Sequence, residues 1–153
     1  MTGDLQPHSG PSIPAMSIRA IENVRRLEAR ILAGPQVAIA TDHVFHAGLY
    51  LRTIVMPARL ALTGALIKKA STLILSGDAD IYLDGEARRF RGYHILTASA
   101  GRKQAFFTHR KTTLTMICAT TARTVEDVER ELTDEVETLG SHYNANRIKI
   151  TEA

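Results

Sequence analysis

The sequence is poor in cysteine and in phosphate-binding motifs, and both shortages exclude classes of site. Its one cysteine, Cys118, rules out an intrachain disulfide and a zinc site of several cysteines, and is typical of a reducing compartment. No GxxxxGK or GxGxxG pattern occurs, so the glycine-rich nucleotide loops are absent. Because Cys118 lies in the apolar run LTMICA with no flanking charge to activate it, we expect a buried core thiol.

Long hydrophobic runs are also missing. No stretch approaches the ~20 apolar residues that a membrane-spanning helix needs, so no membrane partner is expected. The opening residues, MTGDLQPHSGPSIP, lack the apolar centre of a secretory signal, so we do not expect them to form one. With 153 residues, of which 44% are hydrophobic, the chain has the size of one globular domain with a sizeable core.

Charge is distributed unevenly along the chain. Residues 1–60 carry a net charge of +2, residues 61–123 of +6 and residues 124–153 of −5. Phe90 and Tyr93 interleave with Arg88, Arg89 and Arg91 in the basic middle, a mixture that can bind single-stranded nucleic acid. Alternation along a strand would instead point the arginines outward, toward the acidic helix of a neighbouring copy or partner. Nucleic acid is therefore a possible partner, but not the favoured one.

The first third of the chain divides into an arm and a helix. Residues 1–16 hold three prolines and two glycines and predict an extended arm with no pattern that would bury it alone. Residues 17–34 predict an amphipathic helix that Ser17 caps and Gly34-Pro35 ends. Its apolar stripe packs on a core or, less favourably, lies on a membrane or nucleic acid. The stripe comprises Ile18, Ile21, Val24, Leu27 and Ile31.

Residues 36–123 predict a β domain, and residues 124–153 an acidic helix with a tail. Short alternating runs such as LYLRTIVMP and STLILSG are typical of strands. Asp84-Gly85 lies between two of them and predicts a hairpin turn that needs positive φ. Thr124 can cap the last helix, whose apolar stripe continues to Leu139 before Gly140 ends it. The run NRIKITE in the tail could add a strand to a sheet edge of its own chain or of a neighbour.

Two segments resemble the motifs of cupins, which are small double-stranded jelly rolls. Residues 64–77 and 92–109 share their glycine frame, with Gly64, Gly77, Gly92 and the run SAG. In cupins the frame carries two histidines, a glutamate and a further histidine that bind a metal. Counted from this frame, those positions fall on residues 63–66, on Ala70, and on Lys103 or Gln104. The resemblance implies the fold without the metal chemistry.

Residues 42–131 resemble more specifically a group of cupin-like proteins encoded by tailed bacteriophages. The group has an aromatic-x-x-glycine-x-tyrosine-x-arginine stretch, matched here by Phe45, Gly48, Tyr50 and Arg52, and ends in an acidic helix. Leu114 replaces the tryptophan of the last strand. The resemblance implies a virion structural protein, made in the host cytoplasm, that forms homo-oligomers and docks on other virion proteins.

We therefore expect a mainly β, cupin-like jelly roll with flanking N-terminal and C-terminal helices and a non-enzymatic structural role. No catalytic, cofactor-binding or metal-binding residue and no small-molecule substrate is predicted. The alternative is a cupin enzyme or small-molecule-binding protein that uses His94, His109 and Gln104 inside the barrel. His43 and His46 point to opposite faces if they lie in a strand. The predicted partner-binding residues are Leu5, Ile13, Arg25, Arg26, Arg88, Arg89 and Arg91.

Overall fold

The computed structural model describes residues 11–139 and 146–151, and these are rich in strands. Strands and helices follow one another in the order β1 (Ser12–Ile13), α1 (Ile18–Leu32), β2 (Thr41–His46), β3 (Leu49–Met56), β4 (Ala61–Ile67), β5 (Ser71–Tyr82), β6 (Ala87–Ala98), β7 (Arg102–Thr108), β8 (Thr112–Ala119), α2 (Val125–Leu132), a 3₁₀ turn (Val136–Thr138) and β9 (Asn146–Ile150). None of the described helices has the length and apolar character to cross a bilayer.

The strands form a jelly roll. One side is a sheet in the order β1-β6-β5-β8-β3-β2-β9, and the other side is the pair β4-β7. The two sides meet where the end of β5, at residues 79–82, leaves β8 and pairs with β7. Strands that are distant in the sequence thus become neighbours and enclose one core, as in jelly rolls. This confirms the predicted mainly β jelly roll with helices on both flanks.

Strand alternation decides which side chains enter the core. Along β3, Tyr50 and Met56 are fully buried, whereas Leu49 and Val55 of the same strand point to water. The same alternation on β5, β6 and β8 fills the interior with branched and aromatic side chains, because every second residue of a strand faces one side. The most deeply buried core residues include Tyr50, Met56, Leu73, Leu75, Ile81 and Leu96.

Two glycines meet backbone demands that other residues resist. Gly85 turns β5 into β6 with φ of 91°, as the Asp84-Gly85 pair predicts. Gly77 has φ of 151°, and a Cβ there would lie 2.4 Å from Thr112 Oγ1. A side chain at residue 77 would therefore collide with β8.

The helix α1 covers the outer side of the pair β4-β7. Ser17 caps it, with its side chain accepting from the Ala20 amide at 3.1 Å. The buried face consists of Ala20 and Val24, which pack with Met16 and Ala105. The predicted stripe is therefore partly wrong, because Ile18 is 77% exposed and Leu27 is 37% exposed. The small Ala20 lets the helix approach the sheet closely, which hydrophobic spacing alone does not reveal.

The C-terminal helix is shorter than predicted. Thr124 caps α2, as expected, by accepting from the Asp127 amide. The helix ends at Leu132 instead of continuing to Leu139, because Thr133 adopts an extended conformation with φ of −156°. The chain then bends so that Glu135 can reach buried polar groups of the barrel. The predicted stop at Gly140 lies outside the described residues.

Both terminal segments join the chain's own sheet where they are described. Ile13 pairs with Ala98 of β6 and is 1% exposed. The predicted arm is therefore held at Ser12–Ile13 by the chain's own sheet. Leu5 lies outside the described residues. At the other end, β9 runs parallel to β2, so the tail strand extends its own sheet, one of the two alternatives that the sequence left open.

Candidate functional site

A cavity of about 120 Å³ lies inside the jelly roll. Its wall is formed by both sheets, and Leu132 of α2 and Leu139 close one side. The lining is mainly aliphatic and aromatic, with three polar side chains, Arg52, Arg102 and Gln104. An apolar cavity with a few convergent polar groups is the usual form of a small-molecule site. The apolar lining comprises Ile54, Leu62, Ala65, Ile67, Leu73, Phe106, Leu114 and Met116.

The positions that carry metal ligands in cupins adjoin this cavity. Gly64, Ala65 and Gln104 line it, and the register between β4 and β7 is interrupted between Thr63 and Leu66. Ala70 offers no ligand atom beyond its backbone. No group of three His, Cys, Asp or Glu side chains in the described part of the chain is placed to hold a metal ion. The side chains around the cavity offer hydrogen-bond donors where a cupin offers metal ligands.

Arg102 is the largest fully buried side chain among the described residues, at 0% exposure. Its guanidinium donates to the carbonyls of Ser99 at 2.8 Å and Lys69 at 3.2 Å. No ion pair joins it to a carboxylate of the described residues. Burial lowers the pKa of Arg102 to about 10, because the charged form loses its hydration and the Cys118 group offsets this only in part. The sequence reasoning missed this residue, which lies two positions before Gln104 on the same strand face.

Gln104 stands beside Arg102 with one end of its amide unsatisfied. Its Oε1 accepts from Arg102 Nε at 3.3 Å. Its Nε2 is buried and has no hydrogen-bond partner in the described residues. A buried amide without a partner is costly and calls for an explanation. Of the two residues that the glycine frame left open, Lys103 and Gln104, it is Gln104 that lines the cavity.

A chain of polar contacts runs from the cavity wall to the edge of the sheet. His43 Nε2 lies 2.8 Å from Asn146 Oδ1, and His43 Nδ1 lies 2.5 Å from Tyr50 Oη. Arg52 donates to Tyr50 Oη at 3.3 Å and to Glu129 at 3.0 Å. Burial lowers the pKa of His43 and raises the pKa of Tyr50 to about 12. Both groups are neutral near pH 7, so the chain can be satisfied with His43 Nδ1 accepting from the tyrosine hydroxyl.

A larger groove of about 610 Å³ lies at the mouth of the jelly roll. It runs between the end of α1, the connection of residues 35–39 and the strand β4. Six residues of its wall also line the interior cavity: Arg52, Ile54, Leu62, Gly64, Ala65 and Leu139. The groove therefore adjoins the cavity that Arg102 and Gln104 line.

The histidines proposed for a cupin enzyme do not meet in the interior. His94 contacts the Arg91 carbonyl at 2.6 Å, and His109 Nε2 lies 3.0 Å from Asp80. Neither lines the cavity or the groove. A site made of His94, His109 and Gln104 is therefore wrong, because only Gln104 points inward. His43 is buried and His46 is exposed, which confirms that they face opposite sides.

The arginines predicted to bind partners are mostly engaged within the chain. Arg25 pairs with Glu135, and Arg26 donates to Asn23. Arg89 and Arg91 both contact Asp78, and the Arg89 hydrogen bonds lower the pKa of Asp78 to about 2. Arg88 lies over the Phe90 ring, 5.4 Å from its centroid. These contacts reduce the positive charge that the basic segment offers to nucleic acid. Ile13 lies in the chain's own core and is not available to a partner.

The outer side of the large sheet carries a second surface, which we call the apolar face. Its centre is formed by exposed Val55, Tyr93 and Ile95 with half-buried Ile74. The register aligns Ile95 with Ile74, and Ile74 with Thr115 of the next strand. Whereas α1 lies on the pair β4-β7, no described helix packs on this centre. The remaining rows are filled by Thr53, Leu51, Ser76, Thr113 and Ile117.

Comparison with known proteins gives structural neighbours only. No family model and no curated protein matches the sequence. A cupin-2 domain protein from Shewanella frigidimarina is 6% identical, covering 61% of this chain and 91% of its own, with a TM-score of 0.44. The Cnp3 cupin domain of Schizosaccharomyces pombe is 16% identical, covering 62% and 68%, with a TM-score of 0.45.

A larger enzyme also has a similar course of the backbone. Salicylate 1,2-dioxygenase from Pseudoaminobacter salicylatoxidans is 13% identical, covering 76% of this chain and 37% of its own, with a TM-score of 0.45. At such low sequence identity, these neighbours do not indicate which ligand, activity or partner the present chain has. Its function is therefore inferred from its own residues.

Proposed function

We propose that this chain is a non-enzymatic structural protein that assembles with copies of itself through the apolar face. The supporting observation is the apolar group of Ile74, Tyr93 and exposed Ile95 on β5 and β6, on a side of the sheet on which no described helix packs. Val55 lies on the same side, separated from Tyr93 by Ser76 and Thr113. Monomeric proteins seldom leave such surface in water. Burying it stabilises an assembly by ~25 cal/mol per Å² of apolar area, before the entropy cost of association.

A second copy is the occupant that fits the charges of the apolar face. In a two-fold pair the same surface meets itself, so a charge at the centre would face its own copy. The centre is neutral, because hydroxyl side chains such as Thr115 fill the rows between the apolar ones. Charged groups lie at the border, where Arg89 and Arg91 contact Asp78 and Arg147 contacts Asp42. An apolar centre with a polar rim is the usual anatomy of a protein interface.

The assembly is tested by measuring molar mass with light scattering after size exclusion. The wild type is expected to be a dimer, and Ile95→Asp a monomer. Ile95 is 53% exposed, so a dimer would newly bury about half of its side chain. Ile95→Asp removes this apolar contact from each copy and places two carboxylates at the interface. The dissociation constant should rise at least ~100-fold.

The matched control is Ile18→Asp, which makes the same substitution at the start of α1, 77% exposed and away from the face. It should leave the mass unchanged. The proposal is refuted if the wild type is monomeric at about 100 μM, a concentration at which interfaces of micromolar affinity are occupied. It is equally refuted if Ile95→Asp dimerises as the wild type does.

We further propose that the assembly belongs to a tailed-phage virion, where it docks on neck, tail or capsid proteins. This part is supported by the sequence resemblance of residues 42–131 alone. Mass spectrometry of purified particles from the phage or prophage that encodes the chain should find its peptides in constant ratio to a capsid protein. Their absence from such particles would refute the virion assignment. The proposed self-association is tested separately by the molar-mass measurement.

A further inference from the structure

The interior of the jelly roll holds a positive charge that no described carboxylate balances. Arg102 is fully buried, and its partners are backbone carbonyls, the Gln104 amide and a thioether. Arg52, at the other side of the cavity, is already paired with Glu129 at 3.0 Å. A buried charge normally has a partner of opposite sign. Among the described residues, the surroundings of Arg102 therefore lack an anion.

Two donors on the same strand face are free to hold one. Arg102 Nη2 contacts Met116 Sδ at 3.7 Å, and a thioether is a weak acceptor. Gln104 Nε2 is buried and has no partner in the described chain. Residues 102 and 104 alternate to the same side of β7, and both line the cavity. Donors without an acceptor between them match a carboxylate, whose oxygens only accept.

The orientation of the Gln104 amide follows from its contact with Arg102. The guanidinium Nε–H donates to Gln104 Oε1 at 3.3 Å. Turning the amide over would set its NH₂ group against this N–H, donor against donor. Nε2 is therefore the free end, and the same contact that fixes it holds the guanidinium in place. The pair is preorganised before any ligand arrives.

The cavity also limits the body of the ligand. Its volume is about 120 Å³, and a dry apolar cavity of about 150 Å³ is large enough to bind benzene. Side chains such as Leu73, Phe106 and Leu114 form the wall. A bare inorganic anion would leave this apolar space unfilled, whereas a short aliphatic body would fill it. A longer body would extend into the groove at the mouth.

We propose that the jelly-roll interior binds a small organic monocarboxylate, with its carboxylate held by Arg102 and Gln104 and its apolar body in the cavity. The inference does not depend on the assembly through the apolar face, which lies on the opposite side of the sheet. It adds a ligand to a protein whose proposed role is structural.

The first experiment is isothermal titration of the full chain with sodium propionate, butyrate, hexanoate and benzoate. Each acid is matched with its primary amide, which has the same shape and no charge. The carboxylates should bind, and the amides should bind at least ~10-fold more weakly, because a hydrogen bond to a charged group is worth more than one to a neutral group. Binding should also weaken as the pH falls through the pKa of the added acid.

The second experiment uses three variants. Arg102→Met should weaken carboxylate binding at least ~50-fold and Gln104→Met about 10-fold, because each removes a donor and keeps an unbranched side chain. Arg110→Met, at an exposed position, should bind as the wild type does. Arg102→Met also leaves the carbonyls of Ser99 and Lys69 without their guanidinium donor, so the folding of the free variant is checked by circular dichroism. If Arg102→Met does not fold, the carboxylate affinity of Gln104→Met is the deciding measurement.

Three results would overturn the inference. The first is no binding of any of the four acids at about 10 mM, a concentration that detects even millimolar affinity. The second is equal binding of acids and amides, or of sodium nitrate and butyrate. The third is a carboxylate affinity that is unchanged in both single variants, Arg102→Met and Gln104→Met. If Arg102→Met does not fold, an unchanged affinity in Gln104→Met alone is sufficient.

Discussion

Replacing Lys103 with methionine tests how the helices are fastened to the jelly roll. The Lys103 ammonium is fully buried and donates to Glu28 at 2.9 Å, to the Gly64 carbonyl at 2.9 Å and to Glu135 at 3.2 Å. Glu28 belongs to α1, and Glu135 follows α2. One ammonium thus satisfies acceptors from three separate parts of the chain, using its three N–H donors. Lys103→Met keeps the length of the side chain and removes all three bonds.

The cost follows from what the substitution leaves behind. Glu28 and Glu135 are 20% and 18% exposed, so both carboxylates lose a partner in a largely dry place. Breaking a buried ion pair costs about 3–5 kcal/mol. Glu135 keeps Arg25 and the Leu66 amide, which places the expected loss near the lower end, about 3 kcal/mol. For a chain of this size the melting temperature should fall by about 6–12 °C.

Urea unfolding followed by circular dichroism measures the loss, at one protein concentration because association also stabilises the fold. The matched control is Lys68→Met, whose ion pair with Asp134 is exposed, at 46% and 86%. It should cost no more than about 1 kcal/mol. Adding Glu28→Gln to Lys103→Met should recover part of the loss, because one of the stranded carboxylates is then neutral.

The reasoning fails if Lys103→Met loses less than about 1 kcal/mol, or no more than Lys68→Met. It also fails if Glu28→Gln lowers the stability of Lys103→Met as much as it lowers that of the wild type. Either outcome would mean that packing, and not the shared ammonium, holds α1 and the segment after α2 in place.

Two further perturbations test other parts of the fold. Arg89 holds the pKa of Asp78 at about 2, below its ordinary value of 3.8. The folded state therefore binds a proton at Asp78 less readily than the unfolded state does. The stability that Asp78 contributes is complete above about pH 4 and is lost as the pH falls toward 2. The difference in melting temperature between wild type and Asp78→Asn should shrink over this window, and a constant difference would contradict the ion pairing. Gly77→Ala should lower the free energy of unfolding in urea by about 3 kcal/mol, because its Cβ would lie 2.7 Å from Thr112 Cα. The control Gly85→Ala, whose Cβ would have nothing within 4 Å, should lower it by only about 1–2 kcal/mol. Equal losses of stability in the two variants would show that the contact with Thr112 is not the cause.

Local signals in the sequence predicted local structure correctly. Ser17 and Thr124 both cap helices, and Asp84-Gly85 forms the hairpin turn. The apolar run around Cys118 is a buried strand, and burial raises the pKa of its thiol. Each of these depends on residues within a few positions of one another. Propensity and side-chain-to-backbone bonding act over that distance, so the sequence displays them directly.

The errors arose where a distant residue decides the outcome. The helix after Thr124 was extended to Leu139 on its apolar spacing, but Glu135 is drawn to Lys103 and to the Leu66 amide. Ile18 was assigned to the buried stripe, yet α1 turns the smaller Ala20 toward the sheet. A hydrophobic pattern shows that a helix has an apolar side, but not which residues meet the surface that it covers.

The candidate site illustrates the same division. The glycine frame placed a cupin ligand position on Lys103 or Gln104, and of these Gln104 lines the cavity. Arg102 was not recognised, because an arginine in a strand is usually exposed, and no sequence pattern marks one that is buried. His94 and His109 were thought able to meet, but the strands carry them to separate places. Pairing between distant strands determined the positions of Gln104, of Arg102 and of the two histidines.

The sequence by itself determined the β-rich fold, its turns and its helix caps, since these follow from residue type and short spacing. Tertiary structure alone decided that Arg102 and Gln104 share a cavity, and that Lys103, which lies between them in the sequence, faces the opposite way toward α1 and the segment after α2. Strand alternation separates neighbours in the chain, while sheet pairing and burial bring distant residues together and set the energy of their charges.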